Sequence, residues 1–244
     1  MADPALGAGF ATGAAGGSPA RMTDSPGAVI LDVDGTLVDT NYHHALAWYR
    51  AFRRYDVTVP VSAIHRALGM GGDQLVAAVA GDDVEARHGD EIRAAWVEGA
   101  DAMLDEISAL PGAHALLEAI RDAGFTLVMA SSGKPHHVER YAELVEAGDI
   151  PQAWVSSGDV EQTKPAPDLM AVAMERVGAG AAVAIGDSVW DCRAAGRLGI
   201  PSVAVRTGGF ADEELREAGA TAIYSSVQEL TADVASLKPQ ERSG

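Results

Sequence analysis

Two carboxylates stand two residues apart where an apolar run gives out: Ala28-Val-Ile-Leu-Asp32-Val33 leads into Asp34-Gly-Thr-Leu-Val-Asp-Thr40. Side chains at i and i+2 of an extended segment share a face, so Asp32 and Asp34 can address one ligand. Acids at the end of a buried strand are costly unless paired with a charge or bound to a metal. Gly35 permits the tight turn the chain needs next. An acidic turn capping a helix would use the same residues without any chemistry, and this segment alone does not decide between the two.

Three later segments shift the balance. Ser131-Ser132-Gly133-Lys134 offers small hydroxyls and a glycine ahead of a helix start, which suits an oxyanion. Thr163-Lys164-Pro-Ala-Pro167 stiffens a loop around one lysine, and Gly186-Asp187-Ser-Val-Trp-Asp191 spaces two acids i and i+4 as a helix begins. Each is weak alone, yet each follows its own apolar run. Together they set an acid pair, hydroxyls, a lysine and a second acid pair at successive strand ends.

The elements that position them alternate in type. Strands are expected at Ala28–Val33, Phe125–Ala130, Ala153–Ser156, Ala181–Ile185 and Ser202–Val205, with a short sixth around Ala222–Tyr224. Helices are expected near 112–123, 135–146, 166–177, 189–198 and 211–218. This rhythm reads as an α/β fold with a doubly wound parallel sheet. Between the first and second strands lie only helical stretches, Tyr42–Tyr55, Val61–Leu68, Asp73–Val79 and one within 83–107, punctuated by glycines. An insertion there sits above the carboxyl ends of the strands, where open α/β sheets bind ligands, and reads as a cap. The resulting division is a tail at 1–27, an α/β core at 28–40 and 109–237, a helical cap at 41–108 and a polar tail at 238–244. The first tail is rich in Ala, Gly, Pro, Ser and Thr, is expected to be disordered, and contains Met22 as an alternative start.

Composition narrows the partners. The 244 residues are 48% hydrophobic and carry a formal net charge of −17, which repels nucleic-acid backbones and anionic membranes. A small anionic substrate stays compatible, because a metal or a local base can invert the field in one pocket. One cysteine, Cys192, excludes a disulfide scaffold and a cysteine zinc site. No apolar run reaches the ~20 residues that span a bilayer. A soluble, cytoplasmic protein is expected; oligomeric state is not legible. Other features have bland readings. Trp48, Tyr49 and Phe52 read as cap core, Cys192 as a buried small hydrophobe, Thr207-Gly-Gly209 as a loop, and His136 and His137 as remote from the acids. Trp190 is open between packing and the site.

In these residues the sequence resembles the haloacid dehalogenase superfamily, in particular its phosphoglycolate phosphatase and β-phosphoglucomutase group. Asp32-Val-Asp34-Gly35-Thr36 matches the first family motif, Ser131 the second, Lys164 the third, and Gly186-Asp187-Ser188 with Asp191 the fourth, over about 28–235. The resemblance implies a Mg²⁺-dependent phosphatase acting on a small phosphorylated metabolite through an aspartyl-phosphate. It implies Asp32 as nucleophile and Asp34 as acid and base, with Ser131, Ser132, Lys164 and the backbone near Gly35 holding phosphoryl oxygens. It implies Asp32, the Asp34 carbonyl and Asp187 as metal ligands. Asp191 is either a ligand or a residue that orients one; the spacing leaves both open. Asp34 is the acid that dehalogenase members lack. A mutase would need a base in the cap loop Leu68-Gly-Met-Gly-Gly-Asp-Gln74, which has none after Gly69, although Arg66 is near. A receiver-type signalling domain would carry its acids on different strands. The match also lines up His44 with a family cap-hinge histidine, against the reading of His43 and His44 as a solvent-facing turn.

Overall fold

A computed structural model describes residues 27–242. Residues 1–26 and 243–244, which include most of the expected N-terminal tail and Met22, lie outside the described residues. Seven strands form one sheet: β1 (Ala28–Leu31), β2 (Thr126–Ala130), β3 (Ala153–Val155), β4 (Ala181–Gly186), β5 (Ser202–Val205), β6 (Ala220–Tyr224) and β7 (Gln240–Glu241). The order is β3-β2-β1-β4-β5-β6, all parallel, with β7 pairing antiparallel to β4. From β1 the chain winds outward to β3 on one side, then from β4 to β6 on the other. The reversal falls between β1 and β4, and the crevice at such a switch point is where this architecture takes ligands.

Four helices precede β2: α1 (Asn41–Arg54), α2 (Val61–Ala67), α3 (Gly72–Ala80) and α4 (Asp82–Asp101). The rest are α5 (Ala113–Asp122), α6 (Pro135–Leu144), α7 (Asp168–Val177), α8 (Val189–Leu198), α9 (Asp212–Glu217) and α10 (Val227–Ala232). Apolar spacing sets which face each buries. In α5, Ala113, Leu116, Leu117 and Ile120 fall on one stripe and pack on the face of the sheet that carries Leu31, Leu127 and Met129. On the opposite sheet face, α7 and α8 supply Leu169, Met170 and Ala194 against Ile30, Val128 and Ala184. Helices α1–α4 bury a separate cluster that includes Trp48, Phe52, Ile64, Leu75, Ile92 and Trp96. They therefore form a unit with its own apolar interior over the strand ends.

Three elements differ from the sequence reading. The run Ala28–Val33 leaves the sheet after Leu31, although Asp32 still donates its amide to Ile185 at 2.9 Å. The segment expected as a polar tail from 238 contains β7. The register explains it: β5 pairs with β4 only from Ala184, so the Ala181–Ala182 backbone is open on that side, and Gln240–Glu241 fills it. Helix α10 was not anticipated either; its six residues present only Val227 and Leu230 to the interior.

Candidate active site

The turn after β1 is built to hold its acids. Val38 donates to the Val33 carbonyl at 3.2 Å, and Gly35 donates to the Val38 carbonyl at 2.9 Å and to Thr40 Oγ1 at 3.0 Å. Gly35 sits at φ +73°, and a Cβ there would collide with Asp187 Oδ2 and the Asn41 amide. This position admits glycine alone, but its N–H is spent inside the turn. Gly35 thus serves the close approach of Asp187 and Asn41, and its N–H bonds lie within the turn.

Asp32 is buried. Thr36 Oγ1 donates to its Oδ2 at 3.0 Å and Lys164 Nζ donates to its Oδ1. Lys164 is 1% exposed; it also donates to the Ala130 carbonyl at 3.1 Å and forms an ion pair with Asp191 Oδ1 at 2.8 Å. The lysine is thus held between two acids, and Asp191 Oδ1 is left without a hydrogen-bond donor. Asp191 spends its second oxygen on the start of α8, accepting from Ser188 Oγ at 2.6 Å and Ser188 N at 3.2 Å. Asp187 accepts from Asn41 Nδ2 at 2.9 Å.

Asp34 lies across the crevice. Ser131 Oγ donates to its Oδ2 at 2.7 Å, and His44 Nε2 is 3.0 Å from its Oδ1. His44 is buried, so the solvent-facing reading of this residue does not hold. Behind it stand Tyr141, whose hydroxyl is 3.4 Å from His44 Nε2, and His137, which is fully buried. The sequence reading set His137 apart from the acids. The structure brings it beside them, because Pro135 starts α6 directly after the Ser131–Lys134 loop. Its Nε2 meets Asp101 Oδ1 at 2.7 Å, and His136 reaches the same oxygen at 2.8 Å.

Electrostatics divides the acids. Burial pushes Asp32 up to about 7 against the pull of Lys164, with Asp191 and Asp34 adding repulsion. Burial, then Asp32 and Asp191, push Asp187 well above the usual carboxylate range. Burial also acts on Asp34, but the hydrogen bond and charge of His44, then Ser131, outweigh it and hold that carboxyl below its ordinary value. Lys164 is raised despite burial by Asp191 and Asp32. Carboxylate oxygens of Asp32, Asp187 and Asp191 lie within 4.8 Å of one another. These are hard oxygen donors, and the repulsion that raises Asp32 and Asp187 is what a divalent cation would relieve. The residues fit such an ion.

Helices α1–α4 close over the crevice. Asp73 accepts from the Thr163 amide at 3.0 Å and from the Thr163 hydroxyl. Ser132 Oγ donates to the Gly69 carbonyl at 3.3 Å, and Trp190 Nε1 donates to the Arg66 carbonyl at 3.1 Å, which gives Trp190 a place at the junction. Asp32, Asp34, His44, Trp48, Met70 and Trp96 are among the residues lining one cavity of about 50 Å³. Trp48 is therefore both core and wall. The larger cavity of about 510 Å³ lies elsewhere, around Trp154 and Arg176, and holds none of these acids. Cys192 is buried, its thiol pushed by burial up to about 11, as an inert hydrophobe requires.

Known proteins share this fold. A family model described as haloacid dehalogenase-like hydrolase matches residues 26–199. The chain is similar to a hydrolase from Pseudomonas syringae, with a TM-score of 0.81, 27% identity, and coverage of 86% of this chain and 99% of that one. The structure of CbbY from Rhodobacter sphaeroides in complex with phosphate aligns with a TM-score of 0.66 and 26% identity, over 83% and 95% of the two chains. Validoxylamine A 7'-phosphate phosphatase from Streptomyces hygroscopicus subsp. limoneus is 27% identical over 143 residues, which is 57% of this chain and 65% of that protein.

Proposed function

The chain belongs to the haloacid dehalogenase-like hydrolases, and on that basis we propose that it hydrolyses a small phosphate monoester through an aspartyl-phosphate on Asp32, with Mg²⁺ as cofactor. The observation that carries the reading is that Asp32 and Asp34 line one cavity, one pinned by Lys164 and the other by His44 and Ser131. Residues 41–108 act as the cap, 28–40 and 109–237 as the core.

In this mechanism an Asp32 oxygen attacks phosphorus, and the bond from phosphorus to the alcohol oxygen breaks. Asp34 supplies the proton that leaves with the alcohol. Its carboxyl is ionised in the arrangement described, and the charge of an incoming phosphate beside it raises its pKa toward the protonated form. Asp34 then takes a proton from water, which attacks phosphorus, releases inorganic phosphate and restores Asp32. Lys164 neutralises Asp32 and Asp191 and fixes the direction of attack. The Val33 and Asp34 amides donate to the phosphoryl oxygens, and Ser131 and Ser132 join them by turning their hydroxyls away from Asp34 and the Gly69 carbonyl when substrate binds. Asp32, Asp187 and the Asp34 carbonyl would hold the Mg²⁺, which when bound lowers the charge on the phosphoryl group. Asp191 pairs with Lys164, and its Oδ1, which has no hydrogen-bond donor, would also be available to the ion.

The mutase alternative needs a cation for a second phosphate, and Arg66 does not offer one. Its guanidinium lies over the Phe210 ring, 4.4 Å from the centroid, and is paired with Glu214. The testing experiment follows β-glucose 1-phosphate with a trace of the 1,6-bisphosphate by phosphorus NMR, beside a panel of monophosphates with Mg²⁺. Free phosphate from the panel, lost in Asp32→Asn, is expected. Glucose 6-phosphate ahead of free phosphate would overturn hydrolysis in favour of transfer.

A further inference from the structure

We propose that Asp101, His136 and His137 form a second cation site, for Zn²⁺ or a neighbouring transition metal, which ties the helical unit above the strand ends to the core. The site is separate from the acids of the crevice and does not depend on the phosphatase reading.

Three donors from two elements converge there. Asp101 is the last residue of α4, and His136 and His137 follow Pro135 in the first turn of α6. Asp101 Oδ1 is 2.8 Å from His136 Nε2 and 2.7 Å from His137 Nε2, across 35 and 36 positions of sequence. Both rings aim at the same oxygen, although the carboxylate has two. One ligand atom from each residue lies within 4.8 Å of the other two. Donors around a tetrahedral zinc, each roughly 2.0–2.2 Å from it, stand about 3.3 Å apart, so the triad need open by only about half an ångström. The side chains of Asp101 and His136 are 43% and 49% exposed, and that of His137 is fully buried. An ion thus enters from solvent on one side, where water supplies a fourth ligand, and meets a fixed imidazole on the other.

Electrostatics keeps these donors ready. Burial lowers the pKa of His137 below its ordinary 6.5 and holds the ring neutral, the form that ligates. Its Nδ1 is buried without a partner, so moving the proton from Nε2 to Nδ1 gives up no hydrogen bond at Nδ1. Asp101 stands at the negative end of a 20-residue helix whose last turn has no basic residue, where a cation is favoured. That end offsets the positive end of α6, which the ion also faces.

The donor set separates this site from the crevice. Asp32, Asp187 and Asp191 offer oxygen alone, which suits Mg²⁺. Two imidazoles and one carboxylate favour Zn²⁺, Co²⁺ or Ni²⁺ instead.

The test titrates the untagged full chain, held in excess Mg²⁺ to fill the crevice, with Co²⁺ and then with Zn²⁺. The wild type should develop the intense visible bands of four-coordinate cobalt, and Zn²⁺ should extinguish them by displacement. Asp187→Asn, altered in the crevice only, should keep the bands. His136→Ala removes a half-exposed ring and leaves buried His137 in place. It should lose the bands and bind Zn²⁺ at least about tenfold more weakly, since even a residue that only orients a ligand is worth about 10–100-fold. No bands in the wild type, bands or Zn²⁺ affinity unchanged in His136→Ala, or bands that vanish in Asp187→Asn would each overturn the site.

Discussion

His44 and Asp34 meet through a single contact, Nε2 to Oδ1 at 3.0 Å, and that contact joins a helix of the overlying unit to the turn after β1. Buried His44 has Trp96 and His137 as ring neighbours at 5.5 and 6.2 Å. The general acid and base of the proposed reaction is therefore oriented from above by the cap and from below by Ser131.

Removing that contact should be visible in a pH profile. Asp34 is held below its ordinary value chiefly by His44 once burial is overcome, so His44→Gln should let its pKa rise. The limb of kcat/KM set by protonated Asp34, the form that donates to the leaving alcohol, should then move to higher pH, with a loss of about 10–100-fold in rate from the lost positioning. A limb that stays in place would assign His44 to packing alone.

The two acids of the first turn should fail differently. Asp32→Asn should remove turnover, because an amide does not attack phosphorus. Asp34→Asn should lose roughly 10²–10⁴-fold on an ordinary ester. With p-nitrophenyl phosphate, whose leaving group needs no proton, the first step is spared and phosphate should accumulate on Asp32. Intact-mass measurement after quenching reads this directly, and equal losses without trapped phosphate would reduce Asp34 to a structural residue.

Metal dependence carries its own pH signature. Asp32, raised to about 7 from 3.8, leaves the folded state holding an extra proton between those values. Without a cation, that contribution to stability is present at low pH and lost as pH rises through about 7. Mg²⁺ competes for the same oxygens, so its effect on Tm should grow from about pH 5.5 to about pH 7.5. EDTA should abolish activity. A Tm increment that is constant across this range, or turnover that survives chelation, would remove Mg²⁺ from Asp32 and Asp187.

His137 should act in the opposite direction. Burial lowers it below its ordinary 6.5 despite the hydrogen bond to Asp101, so the unfolded chain takes up the proton first on acidification. Its contribution is complete above about 6.5 and is lost as pH falls below that. With saturating Mg²⁺, the Tm of the wild type should decline faster from about pH 7.5 to 5.5 than that of His137→Asn. Parallel decline would mean that His137 is already charged in the fold.

The chemistry was legible where type and position coincide. Asp32, Asp34, Lys164 and Asp187 are charged residues at the ends of apolar runs, and a parallel sheet brings such ends to one edge. The strands followed from the same runs. What stayed hidden depends on partners distant in the chain. Asn41 reaches Asp187 across 146 positions and Asp73 reaches Thr163 across 90. His137 reads as remote from the acids in the sequence because nothing local distinguishes it from His136. The surroundings of Lys164 could not be read until the Ala130 carbonyl and the Asp191 carboxylate were seen beside it. β7 answers to a gap in register, which no local pattern announces.

The Asp73–Thr163 contact has a consequence for timing. It fastens the cap to the residue next to Lys164, and Lys164 is what aims Asp32. Parting the cap pulls on that loop, so admission of substrate and alignment of the nucleophile are opposed states of one molecule. The same fastening must yield again before phosphate departs, which makes exit, rather than bond breaking, the natural place for a turnover to wait.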